Sequence, residues 1–361
     1  MRPPAGSCTS MLTRWEQLKG HEEQRELFGR TLARGRLSHA YVFAGPPGTG
    51  KQEFARLLAM SVFCRNHSLE ELRVCGECRA CRGFAANSWP DFHEVGLLSG
   101  KREILIGQMA GEGDKRGREG LCYEMSMTPQ ASDRRVAVIN DAHRMTTEAA
   151  NAMLKTLEEP PAQALMLLIS DSPESLLPTI LSRCQLVRFF PLTAADVKSI
   201  LLDQALVESK GTAETVSELC DGSLETAQQL LDSDLRMLHG TIARELELLD
   251  AMNPLATSKA VMETIEQISG NAAEQRQNAQ WLLKFVSDAL RARLKMLVSG
   301  DLGDRLTQRL GARRGIDLLA RMLDRTVKAS LQLDGMVPVN LAVSALFDEL
   351  AGILRASLKG T

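Results

Sequence analysis

The chain has 361 residues and balances 43 Lys and Arg against 45 Asp and Glu, for a formal net charge of −2. Hydrophobic residues make up 44% and charged residues 24%, without an excess of Gly or Pro. Disordered, fibrous and collagen-like chains are thereby excluded, and at roughly 100–200 residues per domain the length predicts two or three domains. Aromatic residues are only 4% while Leu and Ala abound, which favours helix over strand. A near-neutral total neither supports nor excludes nucleic acid as a partner. No apolar run reaches the ~18 residues of a membrane helix. The opening MRPPAGSCTSMLTRWEQ lacks the hydrophobic stretch of a secretory signal. The reading is a cytoplasmic chain with no membrane partner.

In chain order, residues 14–38 read as a polar helical stretch marked by Leu18, Leu27, Phe28 and Leu32. Ala40–Ala44 is a short β-prone run that stops at Gly45, and a helical pattern carrying Phe54, Leu57, Leu58 and Val62 follows. Residues 64–94 form a Cys-rich insert, and residues 100–134 are Gly-rich and charged, predicting helix plus flexible loop with no assignable function. Val136–Ile139 predicts a second strand, about Thr146 to Glu158 a helix stopped by Pro160 and Pro161, and Leu165–Ser170 a third strand. Continuous apolar strands alternating with helices predict an α/β domain whose parallel sheet is covered on both faces. After Pro191 only helical stripes remain. One runs Leu282, Phe285, Val286, Leu290, Leu294, Leu297 and another Ile316, Leu319, Leu323, Val327, Leu331, each predicted to be the core face of a helix in a bundle. Arg313, Arg314, Arg321 and Arg325 are scattered there, as on a solvated helix surface.

Gly45-Pro46-Pro47-Gly48-Thr49-Gly50-Lys51 has the spacing of a P-loop, between a strand and a helix as that motif requires. Backbone N–H groups and the helix dipole would hold a nucleotide phosphate there, and Lys51 would reach the β- and γ-phosphates. The next residue should be Ser or Thr, whose hydroxyl holds Mg²⁺, but it is Gln52. A P-loop ATPase also needs a metal-binding Asp at the end of a neighbouring strand, followed by a Glu that activates water. At those two positions stand Asn140 and Asp141, one without charge and the other a methylene short. Mg²⁺-assisted hydrolysis is therefore poorly supported, and His143 reads as a solvated residue at a helix start.

Eight cysteines are present, and Cys64, Cys75, Cys78 and Cys81 crowd into eighteen residues. Cys-x2-Cys spacing lets neighbouring thiolates meet one tetrahedral ion, and four thiolates leave no open position, so the site is predicted to hold structural Zn²⁺. His67 and His93 are available as replacements for one ligand. Cys8, Cys122 and Cys220 read as ordinary thiols.

The Leu37–Phe43 run, the phosphate loop, the Ala149–Pro161 run AANAMLKTLEEPP and Leu181-Ser182-Arg183-Cys184 together resemble the bacterial DNA polymerase III clamp-loader AAA+ family. The resemblance covers residues 14–230 firmly and the last ~130 loosely, through helical pattern and a Val339-Asn340-Leu341 helix start. It implies a P-loop AAA+ domain over residues 14–188 with its zinc insert at 64–94. A helical lid over 189–240 and a helical collar over 241–361 are implied to follow. ATP or ADP is the implied nucleotide. The implied partners are other clamp-loader subunits (tau/gamma and delta), the sliding clamp, and primed DNA within the complex. The Ser-Arg-Cys arginine, Arg183, is implied to reach a neighbour's ATP as an arginine finger. Active members carry a lid arginine where this chain has Glu225, and Ser170 and Asp171 fall at the family's sensor 1 position. An intact finger beside a degenerate hydrolysis site resembles the delta-prime type, with weak or absent ATPase of its own. The alternatives are an active tau/gamma-type ATPase and an AAA+ remodelling protein unrelated to the clamp.

Overall fold

The computed structural model describes residues 15–68, 71–247, 253–298 and 305–359, so Cys8 lies outside the described residues. Residues up to Ala227 and those from Gln228 onward form two separate units.

The first unit is built on a five-stranded, all-parallel sheet of order β2-β3-β4-β1-β5. Its strands are β1 (Ala40–Ala44), β2 (Phe92–Val95), β3 (Arg135–Ile139), β4 (Ala164–Ser170) and β5 (Gln185–Arg188). The central three are buried along their whole length because both faces are covered. Successive side chains point to opposite faces. Tyr41, Phe43, Val136, Val138, Leu165 and Leu167 therefore join Phe28 and Leu32 of α1 (Glu22–Ala33) and Phe54, Leu57 and Leu58 of α2 (Lys51–Phe63) on one side. Ala40, Val42, Ala137, Ile139, Met166 and Leu168 meet Ala149, Ala150, Met153 and Leu157 of α6 (Thr147–Glu158) on the other.

The Cys-rich segment contributes α3 (Arg79–Ala85), with Ala80, Cys81 and Phe84 in the α2-side core. The Gly-rich stretch predicted as helix plus loop holds two short helices, α4 (Ile106–Ala110) and α5 (Leu121–Ser126), whose Met109, Leu121 and Met125 enter the opposite core. Buried Asp91 holds the segment before β3. It accepts the backbone N–H groups of Gln130, Ala131 and Ser132 at 2.6–2.8 Å and the Ser132 hydroxyl at 2.6 Å. Beside it the buried Arg135 guanidinium lies 3.9 Å away. After β4 come α7 (Pro178–Leu181), β5, then α8 (Ala194–Asp203), α9 (Lys210–Leu219) and the start of α10 (Leu224–Leu230).

The second unit is helical among the described residues: α11 (Ser233–Glu247), α12 (Pro254–Gln267), α13 (Ala272–Val298), α14 (Arg305–Asp334) and α15 (Val339–Lys359). Gly311, at φ 71°, interrupts α14. The first predicted stripe is the core face of α13, with Leu282, Phe285, Val286, Leu290 and Leu297 buried and Leu294 half-buried. The second is corrected in part, with Leu319 buried and Leu323 half-buried as predicted. On α14 the buried face is Leu318, Leu319, Met322, Thr326, Ala329 and Leu333, while Ile316, Val327 and Leu331 are exposed. The packing face is turned by about one residue from the predicted one, because it is set by α13 and α15 on either side. Arg325, read as solvated, is buried and pairs with Glu349 at 2.6 Å. No helix among the described residues is long and apolar enough to cross a membrane.

Candidate functional site

The loop Gly45–Gly50 leaves the C-terminal end of β1 and enters α2 at Lys51. Crevices at the carboxyl ends of parallel strands are where ligands bind in open α/β sheets. Two of its glycines are required by geometry. A Cβ on Gly45 would stand 2.2 Å from the Phe189 carbonyl oxygen. Gly48 has φ +72°, and a Cβ there would meet Ser223 Oγ at 2.2 Å. Two outside elements tie the loop down. His21, capping α1, places Nε2 2.6 Å from the Thr49 carbonyl, and the Leu224 N–H donates to the Gly48 carbonyl at 2.8 Å.

The Lys51 ammonium is buried. It donates to the carbonyls of Gly45 and Pro46, both at 2.6 Å, and lies 3.7 Å from Asp171 Oδ1. Burial pushes its pKa below the ordinary lysine value, opposed by Asp171, Asp141 and Glu225. Asp171 also faces His143 at 3.6 Å, and His143, read as solvated, has a side chain only 14% exposed. Ser170 Oγ donates to the Ser172 carbonyl at 2.7 Å.

The two degenerate positions converge on a residue that the motifs do not mark. Gln52 Nε2 donates to Glu94 Oε1 at 3.0 Å, and Asn140 Nδ2 donates to the same oxygen at 2.8 Å. Arg56, one turn beyond Gln52 on α2, pairs with Glu94 Oε2. Its guanidinium rests over Phe84 and Phe92, 5.2 and 5.6 Å from the ring centroids. Mg²⁺ does not fit this set. The hydroxyl and aspartate positions supply amides whose N–H groups point at Glu94, and that carboxylate is already neutralised by a guanidinium.

Arg183 lies between α7 and β5. Its Nη1 donates to the Thr179 carbonyl at 2.9 Å and to Ser182 Oγ at 3.1 Å, and its Nη2 lies 2.6 Å from Glu158 Oε1.

The four cysteine sulfurs of the insert lie within 4.8 Å of one another. Cys75 Sγ accepts the N–H groups of Glu77 and Cys78 at 3.4 and 3.3 Å, and Cys78 Sγ accepts that of Cys81 at 3.4 Å. Burial acts to raise Cys78, and N–H donors from Cys81 and Arg65 outweigh it, bringing its pKa down to about 6. Four sulfurs at this separation, with N–H groups aimed at them, fit a metal ion held by thiolates. His67 instead faces Glu71 at 3.3 Å and His93 faces Arg135 at 3.0 Å, so neither joins the cluster. Burial raises the pKa values of Cys122 and Cys220, and that of Cys184 in the Ser-Arg-Cys run to about 12.

Residues 20–193 match the family described as DNA polymerase III, delta subunit. DNA polymerase III subunit delta' of Pseudomonas aeruginosa is 33% identical over 240 residues, 65% of this chain and 70% of that one. Subunit delta' of Bacillus subtilis is 35% identical over 198 residues, and subunit tau of the same organism is 32% identical over 224 residues. These cover 54% and 61% of this chain, which in turn spans only 55% and 37% of those two relatives. On this likeness the chain belongs to the DNA polymerase III clamp-loader family, as the motifs on its sheet imply.

Proposed function

We propose that the chain is a clamp-loader subunit of delta-prime type. In this reading it donates Arg183 to the ATP site of a neighbouring subunit while hydrolysing little or nothing itself. The observation that carries the reading is the contrast between two sites. Lys51, Gln52 and Asn140 turn their donors inward, onto loop carbonyls, Asp171 and Glu94. Arg183 stays partly exposed in its turn, with its Nη1 bonds made within the turn and Nε–H left over for an incoming anion. A guanidinium beside a γ-phosphate stabilises charge that spreads over the equatorial oxygens during transfer. Nucleotide, ATP or ADP, would sit on Gly45, Pro46, Pro47, Gly48, Thr49, Gly50, Lys51 and Gln52 without metal assistance. Zn²⁺ on Cys64, Cys75, Cys78 and Cys81 would hold the insert together and do no chemistry.

Residues 14–188 would then be the AAA+ domain, 189–240 the lid and 241–361 the collar. The exposed Ile316, Val327 and Leu331 on α14 support an assembly role for the collar. The partners would be tau/gamma and delta subunits, the sliding clamp, and primed DNA reached within the complex in the cytoplasm. The second reading, a tau/gamma-type motor, draws on the 32% identity to subunit tau and on the complete glycine loop. Arg183→Ala in the reconstituted complex separates the two. The first reading expects turnover by the complex to fall although this chain's own phosphate loop is untouched. Normal turnover would refute the finger.

A further inference from the structure

We propose that Glu158 is a positioning residue for Arg183, an inference that rests on the arginine-finger reading. Glu158 is the last residue of α6, where the helix dipole disfavours an acid, and Glu159 follows it. A second carboxylate at a helix C-terminus needs a cation to offset it, and Arg183 supplies one at 2.6 Å. The pair does little for the fold. The two side chains are 49% and 33% exposed, and ion pairs this accessible contribute little to stability.

What the pair fixes is direction. The Thr179 carbonyl and Ser182 Oγ take both Nη1 protons but leave rotation of the flat guanidinium about that edge. Glu158 places Oε1 2.6 Å from Nη2 at the other end of the fork, and this ion pair holds the plane by charge. With Nη1 bonded and Nη2 paired, Nε–H keeps one orientation, ready for an anion presented by a neighbour. Ordering the arginine before the anion arrives removes a cost that would otherwise fall in the transition state. Rigid α6 is anchored in the core through Met153 and Leu157, so Glu158 ties the finger to the sheet and not to the short α7 alone.

The test is steady-state ATP turnover by the complex reconstituted from this full-length chain with its tau/gamma and delta subunits, clamp and primed DNA. Arg183→Ala defines the part of the turnover that depends on the finger. Glu158→Ala is expected to lower that part about ten-fold with KM for ATP unchanged, a fraction of the ~100-fold that a 1 Å misplacement can cost. Glu158→Asp, which keeps the carboxylate, is expected to recover most of it, to about three-fold below the parent. Complex assembly, measured by mass, should be the same for all variants. Full turnover in Glu158→Ala alongside lost turnover in Arg183→Ala overturns the positioning role alone, as does an equal loss in Ala and Asp variants. Full turnover in Arg183→Ala removes the finger reading and the proposal with it.

Discussion

Asp91→Ala tests the reasoning about the buried polar knot that fixes the far edge of the sheet. The Asp91 carboxylate accepts three backbone N–H groups and one hydroxyl, all within 2.8 Å. Removing it orphans three N–H donors, since the Ser132 hydroxyl also reaches the Arg134 carbonyl at 2.8 Å, and each lost bond to a charged acceptor is worth roughly 1.5–3 kcal/mol when nothing replaces it. Gln130 is exposed and Ala131 and Ser132 are half-buried, so water reaches part of the gap. Arg135 keeps the Glu124 carboxylate at 3.4 Å and the Thr128 carbonyl. Discounting by about half gives a loss of about 2–4.5 kcal/mol. At roughly 2–4 °C per kcal/mol for a unit of this size, Tm should fall by about 4–18 °C. Asp91→Asn should cost less, because its Oδ1 can still accept from Ala131 and Ser132 while Nδ2 faces the Gln130 N–H as a donor aimed at a donor. Thermal unfolding by circular dichroism measures both, and a fall under about 2 °C would refute the account of the knot. The same carboxylate adds a pH dependence. Burial raises its pKa, but the Ser132 hydroxyl and the three backbone N–H groups outweigh that and hold it below 3.8. Its contribution is therefore present above that pH and lost as acid protonates it.

Three further outcomes are expected. His21 is held below its ordinary 6.5 chiefly by burial, as are His93 and His239, so stability is full above that pH and falls by up to ~1.4 kcal/mol per unit and group below it. Unfolding midpoints at successive pH values should show His21→Gln with a shallower acid slope than the parent, and an unchanged slope would count against the buried neutral imidazole. The purified chain should carry about one zinc ion by elemental analysis. Cys75→Ser should lose the ion and open residues 64–89 to protease while the sheet stays folded, and a metal-free parent with a protease-resistant insert would contradict the thiolate site. On α14, Leu318→Ala should cost about 2–5 kcal/mol, since Leu318 is 1% exposed, whereas Leu331→Ser at 65% exposed should change stability by under about 0.5 kcal/mol. Matching losses in denaturant unfolding would mean that the two faces have been misassigned.

The central strands are legible in the sequence because burial on both faces leaves no polar position. Ala40–Ala44, Val136–Ile139 and Leu165–Ser170 are recognisable on that ground alone. The edge strands are not. In β5 only Val187 is buried, and β2 reads Phe-His-Glu-Val with an acid in the middle, so neither has an apolar run to find. For α14 the 3.6-residue period fits two adjacent faces, one through Ile316 and one through Leu318. Choosing between them needs the neighbouring helices, which periodicity does not contain. The loop and the cysteine cluster are local, so their spacing carries their geometry. Glu94 belongs to no motif, and a signal for it lies only in its partners: two amides at metal-binding positions and an arginine four residues after Gln52 all need an acceptor.

The most direct measurement is ATP turnover by the isolated chain in Mg²⁺, with Lys51→Ala as the blank and Gln52→Thr/Asn140→Asp alongside. The inward-turned Lys51, Gln52 and Asn140 predict turnover in the parent no higher than the blank. Robust Mg²⁺-dependent turnover in the parent, abolished by Lys51→Ala, would contradict the account and make the chain a motor in its own right.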